Sequence, residues 1–313
     1  MSGLGGIMKI LLLLSLFAAQ CAMAVPALSV TEVRPGIYVH FGKHEFPNKT
    51  NHGAIANIGF IVGDSCVAVI DTGGSPEQGY ALKKAVDRTT DKPVCYVINT
   101  HVHPDHIYGN IAFKLPGVQF VGHKNLSRAM ATRGRYYIEK ANDQLDLKLE
   151  DKHIIPPDKA VKKHLFIELG GRKLRLTAHP TAHTDNDLTV FDQNTDTFWM
   201  SDLLFIEHIP VIDGSLKGWL SELNRMEKHQ YKMVIPGHGP AVTDWPKSML
   251  PEKNYLQILL TEIRSMIAEG KFIEEAIAKV GYSEKDNWKL FDQFHKRNVT
   301  TAFAELEWEE ENE

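Results

Sequence analysis

The 313-residue chain lacks the usual marks of a nucleic-acid binder, a membrane span or a serine hydrolase. Basic residues are not in surplus. There are 35 Lys and Arg against 39 Asp and Glu, for a formal charge of −4, so no electrostatic footprint for nucleic acid exists. A polyacidic disordered tail is also missing, although the last residues, EWEEENE, are locally acidic. The longest apolar run is too short for a comfortable bilayer span. No repeat recurs at a fixed period, and no tract is of low complexity. No GxSxG turn is present to expose a serine nucleophile. Cysteine is scarce, with three residues. What remains has the composition of an ordinary soluble globular protein, long enough for one large domain or one domain with an appendage.

The N-terminus departs from that texture. Lys9 precedes ILLLLSLFAAQ, and CAMAVP follows. One positive charge, a short apolar stretch and a small-x-small site predict a secretory signal peptide over residues 1–24, with cleavage after Ala24. Met8 is an alternative start, since MKILLLLSLF is the more usual opening of such a segment. Lipidation at Cys21 is a rival reading, but Gln20 before it is a poor neighbour for that modification. Export to the periplasm or outside the cell is the expectation, with no stable membrane insertion once the segment is removed. The other two cysteines then matter. Cys66 lies five residues before Asp71, and Cys95 five before Thr100. If their strands are parallel neighbours in register, a disulfide is possible in an oxidising compartment. Two buried free thiols acting as small apolar side chains are the alternative.

Along the chain, residues 33–42 (VRPGIYVHFG) and 57–63 (NIGFIVG) read as strands flanking a long polar loop. CVAVIDTGG and VCYVINT read as strands ending in loops, with the helical pattern PEQGYALKKAVDR between them. VQFVGH is a short strand, followed by a helical segment from about Lys124 to Asn142. LFIELGGRKLRLTAHPTAHT reads as a hairpin around Gly170 and Gly171. DLTVFDQNTDTFWMSDLLF is a second hairpin with Asn194 near its tip, and KMVIPGHG a last strand. Short apolar strands interleaved with helices predict an α/β sandwich with buried sheets. From Pro251 onward the pattern is helical. The expected organisation is a main domain over residues 25–245 and a helical extension over 246–313.

The chemistry concentrates in HVHPDH, residues 101–106. His101 and His103 are two apart directly after a strand, so a short loop can aim both imidazoles at one ion. Asp105 and His106 occupy the far side of that loop and could face a second ion. Zinc and related ions accept this mixture of imidazole and carboxylate. Other candidates stand after other strands: His179 and His183 in AHPTAHTDND, Asp202 in WMSDLLF and His238 in VIPGHGP. In an α/β sandwich such loops gather at one edge of the sheets.

From about Val33 to Asp244 the sequence resembles the metallo-β-lactamase fold superfamily. The motifs are IDTGG, HVHPDH, TAHT, SDLLF and PGHG, in that order. The resemblance implies an αββα sandwich with a C-terminal α-helical extension. It implies that His101, His103 and His183 bind a first zinc, that Asp105, His106 and His238 bind a second, and that Asp202 bridges them. Asp71 would orient a ligand histidine. His179 matches a histidine of the family pattern that is usually not a ligand, which implies a structural or orienting role. His44 and His52 lie in a loop that would overhang the site, where they touch substrate or are simply solvated. Lys217 either meets an anionic substrate or is an exposed lysine near a helix start. The remaining histidines, His208 among them, have no motif context and read as surface or packing residues.

The implied activity is that of a metallohydrolase acting on a small molecule, with a hydroxide shared between two zinc ions as nucleophile and Asp105 as the catalytic side chain that orients it or returns a proton. Iron or manganese are alternative metals for these ligands. Asp202, where many β-lactamases carry Cys or Ser, is similar to the pattern of glyoxalase II-like thioesterases. RPGIYVHFG, NHGAIANIGFIV, TAHTDNDLTVFD and HKRNVTTAFAELEWEE resemble the SoxH-related proteins, also described as quinoprotein relay system zinc metallohydrolases. An ester, thioester or amide-like bond is therefore the expected target. A β-lactamase, an iron-dependent sulfur or redox protein, and a non-catalytic metal-binding accessory of a redox relay are the alternatives.

Overall fold

The computed structural model describes residues 25–309. The expected signal peptide, with Lys9, Cys21 and the Met8 start, lies outside the described residues. Strands β1 (Thr31–Arg34), β2 (Ile37–His40), β3 (Ile58–Val62), β4 (Val67–Ile70), β5 (Val94–Ile98), β6 (Gln119–His123) and β7 (Lys159–Val161) form one sheet in chain order. Its first four strands pair antiparallel, and β4 to β7 run parallel. Strands β8 (His164–Glu168), β9 (Lys173–Ala178), β10 (Leu188–Asp192), β11 (Thr197–Phe205) and β12 (Met233–His238) form the second, in the order β12-β11-β10-β9-β8.

The sheets face each other across an apolar layer that includes Ile37, Ile70, Ile98 and Val121 from the first and Leu174, Leu176, Val190 and Trp199 from the second. Helix α1 (Pro76–Thr89) covers the outer face of the first sheet, burying Leu82, Ala85 and Val86 against Phe60, Val69 and Val97. Its start is set by Ser75, whose Oγ accepts the Gln78 amide, and by Pro76, which needs no amide partner there. A four-residue helix α2 (Pro104–Ile107) follows β5, and α3 (Leu126–Leu145) follows β6. Helices α4 (Leu216–Met226), α5 (Leu250–Ala268), α6 (Ile273–Lys279) and α7 (Phe291–Leu306) lie on the second sheet's side. Trp219, Leu223, Leu256, Leu259 and Phe303 share one buried cluster there with Phe198, Met200 and Val234. The expected α/β class, αββα sandwich and C-terminal helical region are what the structure shows. Among the described residues no helix is long and apolar enough to cross a membrane.

Three local expectations need correction or completion. Residues 33–42 are not one strand. Pro35 and Gly36 turn the chain between β1 and β2, with Gly36 at φ +71°. Proline fixes the first central residue of such a turn, and glycine tolerates the left-handed second. In the C-terminal region the last helix starts only at Phe291, because Leu290 before it has φ +61°. The two cysteines do meet: Cys66 and Cys95 form a disulfide across the parallel β4–β5 pair, with Cα atoms 5.8 Å apart.

Candidate metal centre

The strands deliver the motifs to one edge of the sandwich. β4 ends at Asp71, β5 runs into His101–His106, β9 ends just before His179 and His183, and β12 closes at His238. Asp202 lies within β11, where the register with β12 shifts between Trp199 and Ser201 and Ser201 takes φ +50°. That irregularity re-aims the following side chain, a common use of a bulge beside a site. Gly237 makes room for it, since a Cβ there would stand 1.8 Å from Asp202 Oδ1.

Two groups of ligand atoms result. His101, His103, His183 and Asp202 form one; Asp105, His106 and His238 form the other. His103 Nδ1 lies 3.1 Å from His101 Nε2 and 3.0 Å from His183 Nε2. Nitrogens about 2 Å from one tetrahedral ion would be roughly 3.3 Å apart. Asp202 reaches both groups. Its Oδ1 is 3.1 Å from His106 Nε2, and its Oδ2 is 3.4 Å from His183 Nε2 and 3.5 Å from His238 Nε2. Asp105 Oδ2 lies 3.5 Å from His238 Nε2 and 3.6 Å from His106 Nε2.

The far nitrogens of these imidazoles decide which form each ring takes. His183 Nδ1 donates to the Val211 carbonyl at 2.6 Å, and a carbonyl can only accept. His103 Nε2 donates to Asp213 Oδ2 at 3.0 Å, and His106 Nδ1 to Asp71 Oδ2 at 2.9 Å. Thr100 Oγ1 donates to Asp71 Oδ2 and so accepts from His101 Nδ1 at 3.0 Å. Four rings therefore turn a bare lone pair toward the cluster, the arrangement that metal-binding histidines adopt when an outer acceptor fixes the tautomer. With the His106 proton on Nδ1, buried His106 Nε2 and Asp202 Oδ1 face each other as two acceptors, and neither has a donor among the described residues. Converging lone pairs and orphaned buried atoms are what a cation satisfies.

Electrostatics agree. Burial pushes the imidazole of His183 down to about 3 and that of His101 well below its ordinary value. Burial also acts to lower His106, but Asp202, Asp105 and Asp71 outweigh it and raise the ring well above its usual range. The carboxylates around His106 thus call for positive charge beside them, which a divalent ion supplies, while His183 and His101 stay neutral and keep their lone pairs free.

The structure also places the residues expected beyond the ligands. Asp71, at φ +54°, sits behind His106 and takes the Thr100 amide on its other oxygen at 2.8 Å. His179 is outside the cluster, with both nitrogens engaged by Glu222 at 2.7 Å and Thr189 at 2.8 Å, which ties α4 to β10. Burial acts to raise Glu222, but its bonds to His179 and Arg225 hold the carboxyl at about 2. His52 bonds the Leu145 carbonyl at 3.0 Å. His44 does not line the cavity over the cluster; it stands behind His208, ring centroids 6.0 Å apart, and 3.7 Å from Glu207. Of the two readings of Lys217, the structure places it as a lysine near a helix start, the second residue of α4. Its ammonium pairs with Glu309 Oε1 at 2.8 Å, away from the cavity, because α4 turns it toward the C-terminal segment.

Two residues at the site have no motif. His208, read as a surface or packing residue, lines the cavity with its ring 5.0 Å from that of His238. Asp213 accepts from His103 and from two guanidiniums, Arg133 Nη1 at 2.6 Å and Arg297 Nη2 at 2.8 Å. Burial acts to raise its carboxyl, but His103 and both arginines hold it well below the usual range. The cavity above the cluster measures about 700 Å³ and is walled by α3, α7 and the loop carrying Phe46 and Ile55.

The model of the metallo-beta-lactamase superfamily matches residues 53–238, the stretch that holds every ligand just described. The chain belongs to the metallo-beta-lactamase superfamily. It is a metal-dependent hydrolase of that superfamily. Solved superfamily structures share the fold. A metallo-beta-lactamase from Pontibacter korlensis aligns at TM-score 0.58 and 21% identity, over 74% of this chain and 99% of that one. A metallo-beta-lactamase from Hirschia baltica gives 0.56 and 18%, over 74% and 97%. A double mutant of the sec-alkyl sulfatase PisA1 gives 0.60 and 18%, over 81% of this chain and 45% of that one. A comparison with curated proteins finds no match. At these identities the superfamily structures speak for the fold, and the choice of substrate has to be argued from the cavity.

Proposed function

We propose that the protein is an exported dinuclear zinc hydrolase that cleaves an ester, thioester or amide-like bond of a small molecule. The observation that carries this reading is the position of Asp202 between two ligand groups, within reach of His106 on one side and His183 on the other. A single structural ion would be closed by four protein ligands and would leave Asp105, His106 and His238 without purpose. Zinc ions held here would lower the pKa of a bound water toward neutrality and polarise the scissile carbonyl.

The chain's own residues do the rest. Asp213, Val211, Thr100 and Asp71 hold four imidazoles in the ligand tautomer. Asp105 lines the cavity and remains partly exposed, placed to orient water or to return a proton to the leaving atom. Phe205 packs flat on the His238 ring, 5.1 Å between centroids, and keeps that side of the centre dry. Export is supported by the leader-like pattern of residues 1–24 and by the Cys66–Cys95 disulfide, a bond typical of oxidising compartments. The resemblance to SoxH-related proteins points to the same compartment.

The test is elemental analysis of protein purified without added metal, followed by turnover of a thioester such as S-lactoylglutathione and of a chromogenic cephalosporin. Two zinc ions per chain and chelator-sensitive thioester cleavage are expected. One iron per chain would withdraw the roles given to Asp105, His106 and His238. Efficient cephalosporin cleavage alone would put a β-lactamase in place of the thioesterase-like enzyme.

A further inference from the structure

The wall of the cavity carries a pattern that the metal centre does not explain. Among the α3 residues that line it are Arg133, Tyr136, Tyr137, Lys140, Ala141 and Gln144. Their spacing of three, four, seven, eight and eleven is one continuous helix face. The facing wall is α7, where Gln293, Phe294 and Arg297 line the cavity, again one face. Each helix therefore presents aromatic or phenolic rings and a cation to the same space. Phe46 crosses from the overhanging loop onto Phe294, ring centroids 5.7 Å apart, although its side of the loop leaves it half exposed. Tyr136 is more exposed still.

The charges are unbalanced. Arg133 and Arg297 share one carboxylate, that of Asp213. Lys140 has no carboxylate partner among the described residues. The other carboxylates of the lining, Asp105 and Asp202, belong to the two candidate ligand groups, and among the described residues no glutamate lines the cavity. Along α3, Lys140 is seven positions on from Arg133, roughly 10 Å of rise, with the two tyrosines between. A molecule lying along this face meets apolar ring surface flanked by positive charge.

We propose that the cavity selects esters or thioesters that carry a carboxylate on an apolar body, the carboxylate held by Lys140 and the body by Tyr136, Phe46 and Phe294. This rests on the hydrolase reading above and adds the substrate class to it. Neutral esters of the same size reach the metal centre without that anchor. Basic side chains around a concave site also raise the encounter rate with anions, and salt weakens that effect.

The experiment uses the metal-loaded full chain and a matched pair, mono-p-nitrophenyl glutarate and its neutral methyl ester. Wild type is expected to favour the anionic ester about tenfold in kcat/KM, chiefly through KM, with the preference falling as salt rises. In Lys140→Glu the ratio is expected to drop to about one or below, while Lys140→Arg restores most of it. Equal use of both esters by wild type, or a ratio untouched by Lys140→Glu, would overturn the anion site and leave the hydrolase standing. Should neither ester be cleaved, calorimetric binding of glutaric acid monoanilide against its methyl ester decides the anion site separately. Tighter binding of the acid, lost in Lys140→Glu, supports it with the hydrolase reading in doubt; equal binding rejects it.

Discussion

At the scale of single residues, the metal centre depends on space as much as on ligands. A methyl group at position 237 would stand 1.8 Å from Asp202 Oδ1. Gly237→Ala is therefore expected to push Asp202 out of its position between the two ligand groups. Hydrolytic activity should fall at least about 100-fold, with bound metal reduced and far-ultraviolet dichroism unchanged. Full metal content in a folded Gly237→Ala protein would show that the carboxylate has another place to go. Asp213→Ala tests a different support. It removes the acceptor that fixes the His103 tautomer and the partner shared by two guanidiniums. Metal affinity measured by chelator competition should fall about 10–100-fold. An unchanged affinity would mean that His103 holds its orientation without help. The clustering of these imidazoles and carboxylates was legible in the sequence, because such residues in loops directly after apolar strands form an unusual pattern. Asp213 was not, since one aspartate in VIDGS has no distinguishing neighbours. Its role exists only because Arg133 and Arg297, 164 positions apart in the chain numbering, arrive beside it. His208 was missed for the same reason, and Lys217 stayed open between substrate contact and helix start because sequence proximity to Asp202 says nothing of the direction in which α4 turns it.

At the scale of elements, β4 and β5 are joined twice, by parallel hydrogen bonding and by the Cys66–Cys95 bond. The bond lies at the start of both strands, and Asp71 and His101 lie past their ends. The double variant Cys66→Ser, Cys95→Ser should thus lose stability without losing the site. With 29 positions between the cysteines, the unfolded-chain argument gives about 3–4 kcal/mol in urea denaturation. Metal stoichiometry should be unchanged. Two free thiols in the unfolded, unreduced protein would remove the basis of this prediction. The sequence left the bond open because the strands' order and register, which bring the sulfurs together, are set by the whole sheet. Hairpins were easier to read. Gly170-Gly171 and Asn194 mark their turns locally, and β8–β9 and β10–β11 follow. The β1–β2 turn had an equally local signal in Pro35-Gly36, but the apolar residues on either side run on as though in one strand. In α3 the helix was legible. The face bearing Arg133, Tyr137 and Lys140 was not, because periodicity alone does not say whether a polar stripe meets solvent or a cavity.

At the scale of the molecule, the C-terminal helices are part of the site and not only an appendage to it. Buried Asn298 on α7 accepts the Ile212 amide at 2.9 Å and donates to the Pro210 carbonyl at 2.7 Å. Those bonds pin the segment that supplies the Val211 carbonyl to His183 and the Asp213 carboxylate to His103. Metal binding and folding of α7 are therefore coupled through one short loop. Asn298→Ala leaves two buried backbone groups without partners and should cost roughly 2–4 kcal/mol of stability. A purely structural residue would stop there. Here the loosened loop should also weaken metal binding about tenfold. The two effects separate in urea titrations run with metal and with chelator. At metal a thousandfold above its dissociation constant, the wild type should gain about 4 kcal/mol from the metal. At the same concentration the variant should gain about 2.7 kcal/mol, because its site is then only a hundredfold saturated. Equal gains in the two proteins would place Asn298 in the fold alone and break the link between the C-terminal helix and the metal centre.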